Sequence, residues 1–140
     1  MYARHAGFIG WTHPYENVPL YRQDSTWAQR PPLNGKPGYV SFESVNYPNM
    51  FIVNEGGRMA IRDKTNTIKF VRAASWKLGQ GGQGGVGCGL PGFESYENDL
   101  SPGTFLVGNP NGTELFVKTV NNEAEAKKAC WKRVDPTWPY

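Results

Sequence analysis

The side chains that could perform chemistry are few and widely spaced along the sequence. There are two histidines, His5 and His13, and 12 acidic residues. A glycosidase needs two carboxylates that face each other across a cleft, and Asp24, Glu43 and Glu94 qualify for that role only by residue type. No Ser-His-Asp or Cys-His arrangement has a supporting motif. We therefore expect a domain that binds its partner and is not an enzyme.

Charge and hydropathy exclude several classes of partner. The 15 basic and 12 acidic residues give a net charge of +3, and no run of Lys or Arg is longer than two. We therefore expect neither nucleic-acid binding nor membrane insertion, since no apolar stretch approaches the roughly 20 residues that a membrane span needs. The glycine-rich segment 79–85 lacks the following helix and the Lys-Ser/Thr pair of a phosphate-binding loop. It is interpreted as a linker, and no cofactor is expected.

The two cysteines, Cys88 and Cys130, form no CxxC pair and cannot build a structural zinc site alone, so no metal is expected. They are either two free thiols or one disulfide, and the secreted-type composition favours the disulfide. The N-terminal residues lack the apolar segment of a signal peptide, so the chain is either not secreted or a mature form, and we expect the extracellular location. Asn111-Gly112-Thr113 is a glycosylation sequon on a predicted turn.

The elements that must position these residues are short strands. The chain has 17 glycines, 11 prolines and 14% aromatic residues, which is typical of short strands joined by tight turns. Phe-Glu-Ser-Val-Asn-Tyr-Pro at 42–48 recurs as Phe-Glu-Ser-Tyr-Glu-Asn at 93–98, which would make Glu43 and Glu94 equivalent and place them far apart. Pairs of predicted strands follow each copy, at 50–53 and 58–61, then at 104–107 and 114–117.

A tryptophan closes each copy, and Trp27, Trp76 and Trp131 are spaced 49 and 55 residues apart. Three repeats, at about 1–38, 39–90 and 91–140, predict a single all-β domain with the β-trefoil fold. The first repeat lacks its initial strand. We expect the three tryptophans to form a core layer. Residues 121–128 are the only stretch rich enough in helix formers for about one helical turn.

Four phrases of the sequence resemble the arabinose-binding domain of α-L-arabinofuranosidase B type enzymes, which is carbohydrate-binding module family 42 and a β-trefoil. The resemblance covers essentially the whole chain. The phrases are Tyr-Ala-Arg-His at 2–5, Leu-Tyr-Arg-Gln-Asp-Ser-Thr-Trp at 20–27, Arg-Pro-Pro-Leu at 30–33, and Val-Ser-Phe-Glu-Ser-Val-Asn-Tyr-Pro at 40–48.

The resemblance implies a sugar site in the first repeat. In that family a histidine after the second strand and an aspartate before the closing aromatic hold the hydroxyls of one arabinofuranose. Carried over, these residues are His5 and Asp24, with Tyr2 flanking the site. Without the resemblance, His5 would be an exposed histidine near a terminus and Asp24 a turn residue. The corresponding positions in the other repeats are Asn54 and Ala73, then Gly108 or Asn109 and Lys128.

Two functions remain open from the sequence. One is a non-catalytic, lectin-like carbohydrate-binding module with at most one pocket of the family type, whose partner is a glycan such as an arabinose-like sugar. The other is a structural or protein-protein interaction trefoil in a larger extracellular assembly or oligomer, with its sugar pockets lost. Trefoils serve many unrelated functions, so the predicted fold does not decide between them.

Overall fold

The computed structural model describes residues 2–80, 92–108 and 112–134. This part of the chain is all-β, as predicted, with three short helices. The strands are β1 (Tyr2–Ala6), β2 (Ile9–His13), β3 (Trp27–Arg30), β4 (Tyr39–Ser44), β5 (Met50–Glu55), β6 (Arg58–Asp63), β7 (Trp76–Gln80), β8 (Phe93–Asn98), β9 (Thr104–Val107), β10 (Phe116–Thr119) and β11 (Trp131–Lys132). The helices are α1 (Pro19–Asp24), α2 (Ile68–Ala73) and α3 (Glu123–Lys128).

The strands pair antiparallel in the order β1-β2-β6-β10-β9-β8-β7-β4-β3. In addition, β5 pairs with both β4 and β6, and β11 pairs with β8. Strand β4 therefore contacts β3, β5 and β7, and β8 in the same way contacts β7, β9 and β11. Strands β1 and β3, at the two ends of this order, each pair with one strand among the described residues.

The predicted equivalence of Glu43 and Glu94 is wrong. In the β3–β4 and β7–β8 pairs, the tryptophan that begins the first strand lies opposite Ser44 and Asn98, respectively. Glu43 therefore corresponds to Glu97, and not to Glu94 as the repeated letters suggest. The backbone agrees, because Glu43 and Glu97 each accept a hydrogen bond from an N–H group six residues later, at 2.7 and 2.8 Å. Register follows the side chains that face the core, and a short run of identical residues does not set it.

The three tryptophans occupy the core, as predicted. Trp76 is fully buried in the main hydrophobic cluster, and Trp27 and Trp131 are half-buried against the same cluster. Each indole N–H donates to a backbone carbonyl of the first strand of a hairpin, at 3.2, 3.3 and 2.9 Å, so the buried polar end of each ring is satisfied. For Trp27, Trp76 and Trp131 the acceptors are the carbonyls of Ala3, Ile52 and Leu106, respectively.

The helices correct the expectation that only residues 121–128 are helical. Helix α3 lies there, and Asn122 caps it by accepting from the Glu125 N–H at 2.9 Å. Helices α1 and α2 were not predicted, because α2 contains β-branched residues and each helix has only six residues. Such short helices depend on end effects and packing more than on propensity. Helix α1 begins with Pro19, and Thr67 caps α2.

The predicted linker, residues 79–85, begins later than expected. Gly79 and Gln80 belong to β7, because they pair with Ser95 and Glu94 of β8. The rest of the glycine-rich segment lies outside the described residues.

Three further features bear on the sequence predictions. Cys130 is disulfide-bonded, but its predicted partner Cys88 lies outside the described residues, as does Asn111, so the pairing and the glycosylation stay predictions. Among the described residues, no helix has the length and apolar character to cross a membrane. The same part of the chain contains no group of three His, Cys, Asp or Glu side chains placed to hold a metal ion.

Candidate functional site

Three separate elements bring the candidate site together. His5 lies near the end of β1, Asp24 is the last residue of α1, and Asn46 follows β4. The hairpin of β1 and β2 places His5 beside β4, and α1 returns the chain to β1. Only 3% of His5 and 4% of Asp24 is exposed to solvent. Without the family resemblance, we would expect His5 to be exposed and Asp24 to be a turn residue. That expectation is therefore wrong.

These side chains form one continuous hydrogen-bonded group, hereafter the polar cluster, of Arg4, His5, Asp24, Ser44 and Asn46. Nε2 of His5 lies 2.9 Å from Oδ1 of Asn46, and Nδ2 of Asn46 donates to Oδ1 of Asp24 at 2.8 Å. Nη2 of Arg4 donates to Oδ2 of Asp24 at 2.6 Å. The hydroxyl of Ser44 donates to Oδ1 of Asn46 at 3.0 Å. Every member is held by at least one other.

The cluster defines the protonation of His5. Oδ1 of Asn46 can only accept, so the contact requires a proton on Nε2 and leaves Nδ1 of a neutral ring as an acceptor. Burial of the imidazole lowers the pKa of His5 below 6.5, although the hydrogen bond to Asn46 and the charge of Asp24 act in the opposite direction. His5 is therefore neutral at pH 7.

Asp24 retains capacity to bind a further donor. A carboxylate offers about four lone-pair positions, and the two hydrogen bonds from Arg4 and Asn46 occupy one on each oxygen. Arg4 is itself fixed, because its guanidinium lies over the ring of Tyr21, 4.8 Å from the ring centre. The Tyr21 hydroxyl donates to the carbonyl of His13 at 3.0 Å. Asp24 is thus a fixed, charged acceptor.

Aromatic rings surround His5. Its ring makes edge contacts with Trp27 and Tyr47, with ring centres 5.6 and 5.5 Å apart. Tyr47 in turn contacts Phe8, at 5.2 Å between ring centres. Trp27 belongs to the core, whereas Phe8 and Tyr47 are each 41% exposed. The polar cluster therefore lies between the core and an exposed aromatic pair.

Comparison with known proteins supplies the family. The profile of the Alpha-L-arabinofuranosidase B (ABFB) domain matches residues 1–101, which is more than half of the 140-residue chain. The chain belongs to the ABFB domain family. This confirms the resemblance identified from the sequence, and domains of this family are arabinose-binding carbohydrate-binding modules. A comparison with curated proteins finds no match.

Solved structures share the fold of this ABFB domain at low sequence identity. An arabinofuranosidase complexed with arabinofuranosyl-α-1,2-xylobiose has a TM-score of 0.72, and a GH54 α-L-arabinofuranosidase soaked with a cyclic sulfate inhibitor has 0.73. Both are 13% identical and match 91% of this chain but only 26% of their own. A mosquitocidal holotoxin has a TM-score of 0.64 at 13% identity, over 96% of this chain and 16% of its own. The chain thus spans about a quarter or less of these proteins.

Tyr2, the third predicted sugar-binding residue, lies to one side of the polar cluster. Its half-buried ring packs against Tyr15, with ring centres 5.6 Å apart, and Tyr15 packs against Tyr21 beneath Arg4. The polar contacts of His5 and Asp24 described above are made with other residues. Ring contacts through Tyr15 and Tyr21 therefore link Tyr2 to Arg4, and the contact of Tyr2 with a ligand stays a prediction.

Asn54 and Gly108, two positions that the predicted repeats make equivalent to His5, have different environments. Asn54 is buried and donates to Oδ1 of Asn98 at 3.2 Å. Gly108 lies where a Cβ atom would be 2.9 Å from the ring of Trp131, so no larger side chain fits without movement. The backbone of Gly108 also donates to the carbonyl of Lys128 at 2.9 Å. Neither position holds a histidine-carboxylate pair.

Sequence reasoning missed three members of the polar cluster. Arg4, Ser44 and Asn46 all lie inside the quoted phrases, next to or within the strands that carry the site. The available indication was the place of Asn46 just after a predicted strand, because a polar residue there can turn towards a neighbouring element. Its partner could not be identified from the sequence, since Asn46 and His5 are 41 residues apart.

Proposed function

We propose that this chain is a single β-trefoil domain over residues 1–140 that binds carbohydrate without catalysis of its own. In this proposal the polar cluster holds one arabinofuranosyl residue. The observation that carries it is the meeting of His5 and Asp24, 19 residues apart in sequence, in one buried hydrogen-bonded group with Asn46. Buried polar groups need partners, and a cluster of fixed acceptors and donors beside an exposed surface suits the hydroxyl groups of a sugar.

The trefoil arrangement has support from the recurring order of elements. A two-stranded hairpin, a six-residue helix and a closing strand follow one another three times along the described residues: β1, β2, α1 and β3; then β5, β6, α2 and β7; then β9, β10, α3 and β11. The three equivalent tryptophan hydrogen bonds support the same threefold arrangement.

The chemistry of sugar binding would be divided among the cluster residues. The free lone pairs of Asp24 accept from one or two hydroxyls, and charge-assisted bonds of this kind are among the stronger ones. Nδ1 of neutral His5 accepts a hydrogen bond from a further sugar hydroxyl. Arg4 and Asn46 hold the carboxylate in place, so little ordering accompanies binding. We propose a single site per chain, because the positions of Asn54 and Gly108 lack the pair.

The absence of catalysis is proposed from the state of the candidate carboxylates. Glu43 is paired with Arg30 at 2.8 Å, and Glu94 with Arg133 at 3.0 Å. Asp24 is paired with Arg4. A glycosidase needs one carboxyl group that can donate a proton opposite a second carboxylate. Three carboxylates in three separate ion pairs do not support that arrangement.

The disulfide at Cys130 supports the extracellular location predicted from composition, because disulfides persist mainly outside the reducing cytosol.

Titration calorimetry on the purified chain tests the sugar site, with methyl α-L-arabinofuranoside, whose furanose ring is locked, and arabinofuranosyl-α-1,2-xylobiose as ligands. Asp24→Asn keeps the size of the side chain but removes its charge, and should weaken binding at least 10-fold. The matched control is Asp99→Asn, since Asp99 is an equally buried carboxylate that is bound by Asn34 and Lys36 away from the polar cluster. Equal binding by wild type and Asp24→Asn, or no binding of either sugar to folded wild type, would refute the proposed site.

A protein-interaction role is the second candidate, because β1 and β3 each pair with one strand among the described residues. Unpaired strand edges can add a strand from a partner. Affinity capture in the presence and absence of free methyl α-L-arabinofuranoside separates the two functions. A specific protein partner that is retained at saturating sugar, together with no sugar binding by calorimetry, would favour the interaction module.

A further inference from the structure

Phe8 and Tyr47 form an exposed aromatic pair that the proposed sugar site does not use. Each ring is 41% exposed, and the two meet edge to face, at 73° between the ring planes. In an edge-to-face pair, the edge of one ring covers one face of the other ring, and this contact covers no other ring face. The pair therefore offers aromatic surface to a ligand.

The position of Phe8 in the backbone is unusual for a phenylalanine. Gly7 and Phe8 form the two-residue turn between β1 and β2, with φ values of +60° and +62°. Turns of this kind favour Asn and Gly, because a bulky side chain is strained at positive φ. The turn is nevertheless well fixed, since the Phe8 carbonyl accepts from the Ile61 N–H at 2.9 Å. A strained, exposed aromatic residue on a fixed turn is a feature found at ligand sites.

Tyr47 is fixed on the other side. Its N–H donates to Oγ of Ser44 at 3.2 Å, and its carbonyl accepts from the Met50 N–H at 3.1 Å. Its ring contacts His5 of the polar cluster at 5.5 Å between ring centres. Ring contacts therefore run from buried His5 through Tyr47 to exposed Phe8, and the backbone of both aromatic residues is held in place before a ligand binds.

We propose that Phe8 and Tyr47 form a second subsite, which stacks the sugar residue linked to the one held by the polar cluster. The C–H face of a sugar ring is apolar and packs on aromatic rings, whereas its hydroxyls would remain in solvent. This inference rests on the proposed function and extends it, since the ligand becomes an oligosaccharide of at least two residues. Two rings are too small a surface for a stable protein interface, which buries about 800 Å² per partner.

Calorimetry with methyl α-L-arabinofuranoside and arabinofuranosyl-α-1,2-xylobiose also tests the subsite, because both ligands present the same locked furanose ring. The trisaccharide should bind wild type more tightly than the monosaccharide. Phe8→Asn removes the ring and introduces a residue that the turn favours, so it should fold. It should weaken trisaccharide binding about 5- to 10-fold, the range of one aromatic contact, and change monosaccharide binding less than about twofold. Phe116→Asn, which removes an exposed ring on β10, should change neither affinity.

The outcomes separate this inference from the proposed function. If wild type binds both sugars equally, or if Phe8→Asn leaves trisaccharide affinity unchanged, the second subsite is refuted. The proposed site nevertheless survives if Asp24→Asn loses binding of methyl α-L-arabinofuranoside. If Asp24→Asn binds both sugars as wild type does, or if neither sugar binds wild type, both proposals fail. Phe8→Gly, which also suits the positive φ, is the second variant and should behave as Phe8→Asn does.

Discussion

Replacing Asp24 by asparagine should destabilise the protein even without ligand. An asparagine has one oxygen where the aspartate has two, and Arg4 and Asn46 each donate to a different oxygen. One of these donors must then face an amide N–H₂ group. Arg4 is mostly buried, so loss of its acceptor leaves a charge without compensation in a region that excludes water. Removing one partner of a buried pair costs roughly 3–5 kcal/mol.

The Arg4 side chain is 13% exposed, so water partly compensates its charge. We therefore expect Asp24→Asn to lower the free energy of unfolding by somewhat less, about 2–3 kcal/mol. Urea denaturation followed by tryptophan fluorescence measures it, and the midpoint should fall by roughly 1–2 M. Glu55→Gln is the control. It breaks a pair of similar length with Arg62, 2.6 Å, in which both side chains are largely exposed, and should cost less than about 1 kcal/mol.

A double-mutant cycle tests whether the loss of stability arises from the ion pair between Arg4 and Asp24. Arg4→Met combined with Asp24→Asn should cost less than the sum of the two single variants, because the double variant leaves no unpaired charge. The reasoning is refuted if Asp24→Asn and Glu55→Gln have equal effects, or if the cycle is additive within about 0.5 kcal/mol.

The remaining predictions concern pH dependence, packing and a helix cap. Because burial lowers the pKa of His5, the unfolded state binds a proton more readily, so the stability that neutral His5 contributes is complete above about pH 6.5 and is lost as pH falls towards the folded pKa. Thermal unfolding from pH 8 to pH 5 should show a smaller loss of stability for His5→Gln than for wild type, and equal slopes would contradict this. Gly108→Ala should cost about 1–3 kcal/mol in chemical denaturation, since the added methyl group meets the ring of Trp131, and an unchanged midpoint would show that the ring moves freely. Thr67→Ala removes the oxygen that accepts from the Phe70 N–H and should lower stability by about 1 kcal/mol by the same assay, whereas Thr67→Ser should restore most of it.

Local sequence features predicted much of the architecture. Two short apolar runs, at 50–53 and 58–61, joined by a segment rich in Asn and Gly, predicted the hairpin of β5 and β6, and Gly56 and Gly57 adopt the positive φ that such turns require. The three tryptophans were predicted as core residues because large aromatic side chains at a regular interval pack most favourably when buried. The turn depends on neighbouring residues and the tryptophans on a recurring motif, and a sequence contains both kinds of information directly.

The tertiary structure decided the properties of the site. The sequence resemblance identified His5 and Asp24, but their burial, the ion pair with Arg4 and the link through Asn46 follow from contacts across 20 to 41 residues. The register of β8 and the formation of α1 and α2 likewise depend on packing against other elements, which overrides local residue patterns and weak helix propensity. The sequence therefore determined which chemical groups are present, and only the fold decided how they are charged, fixed and exposed.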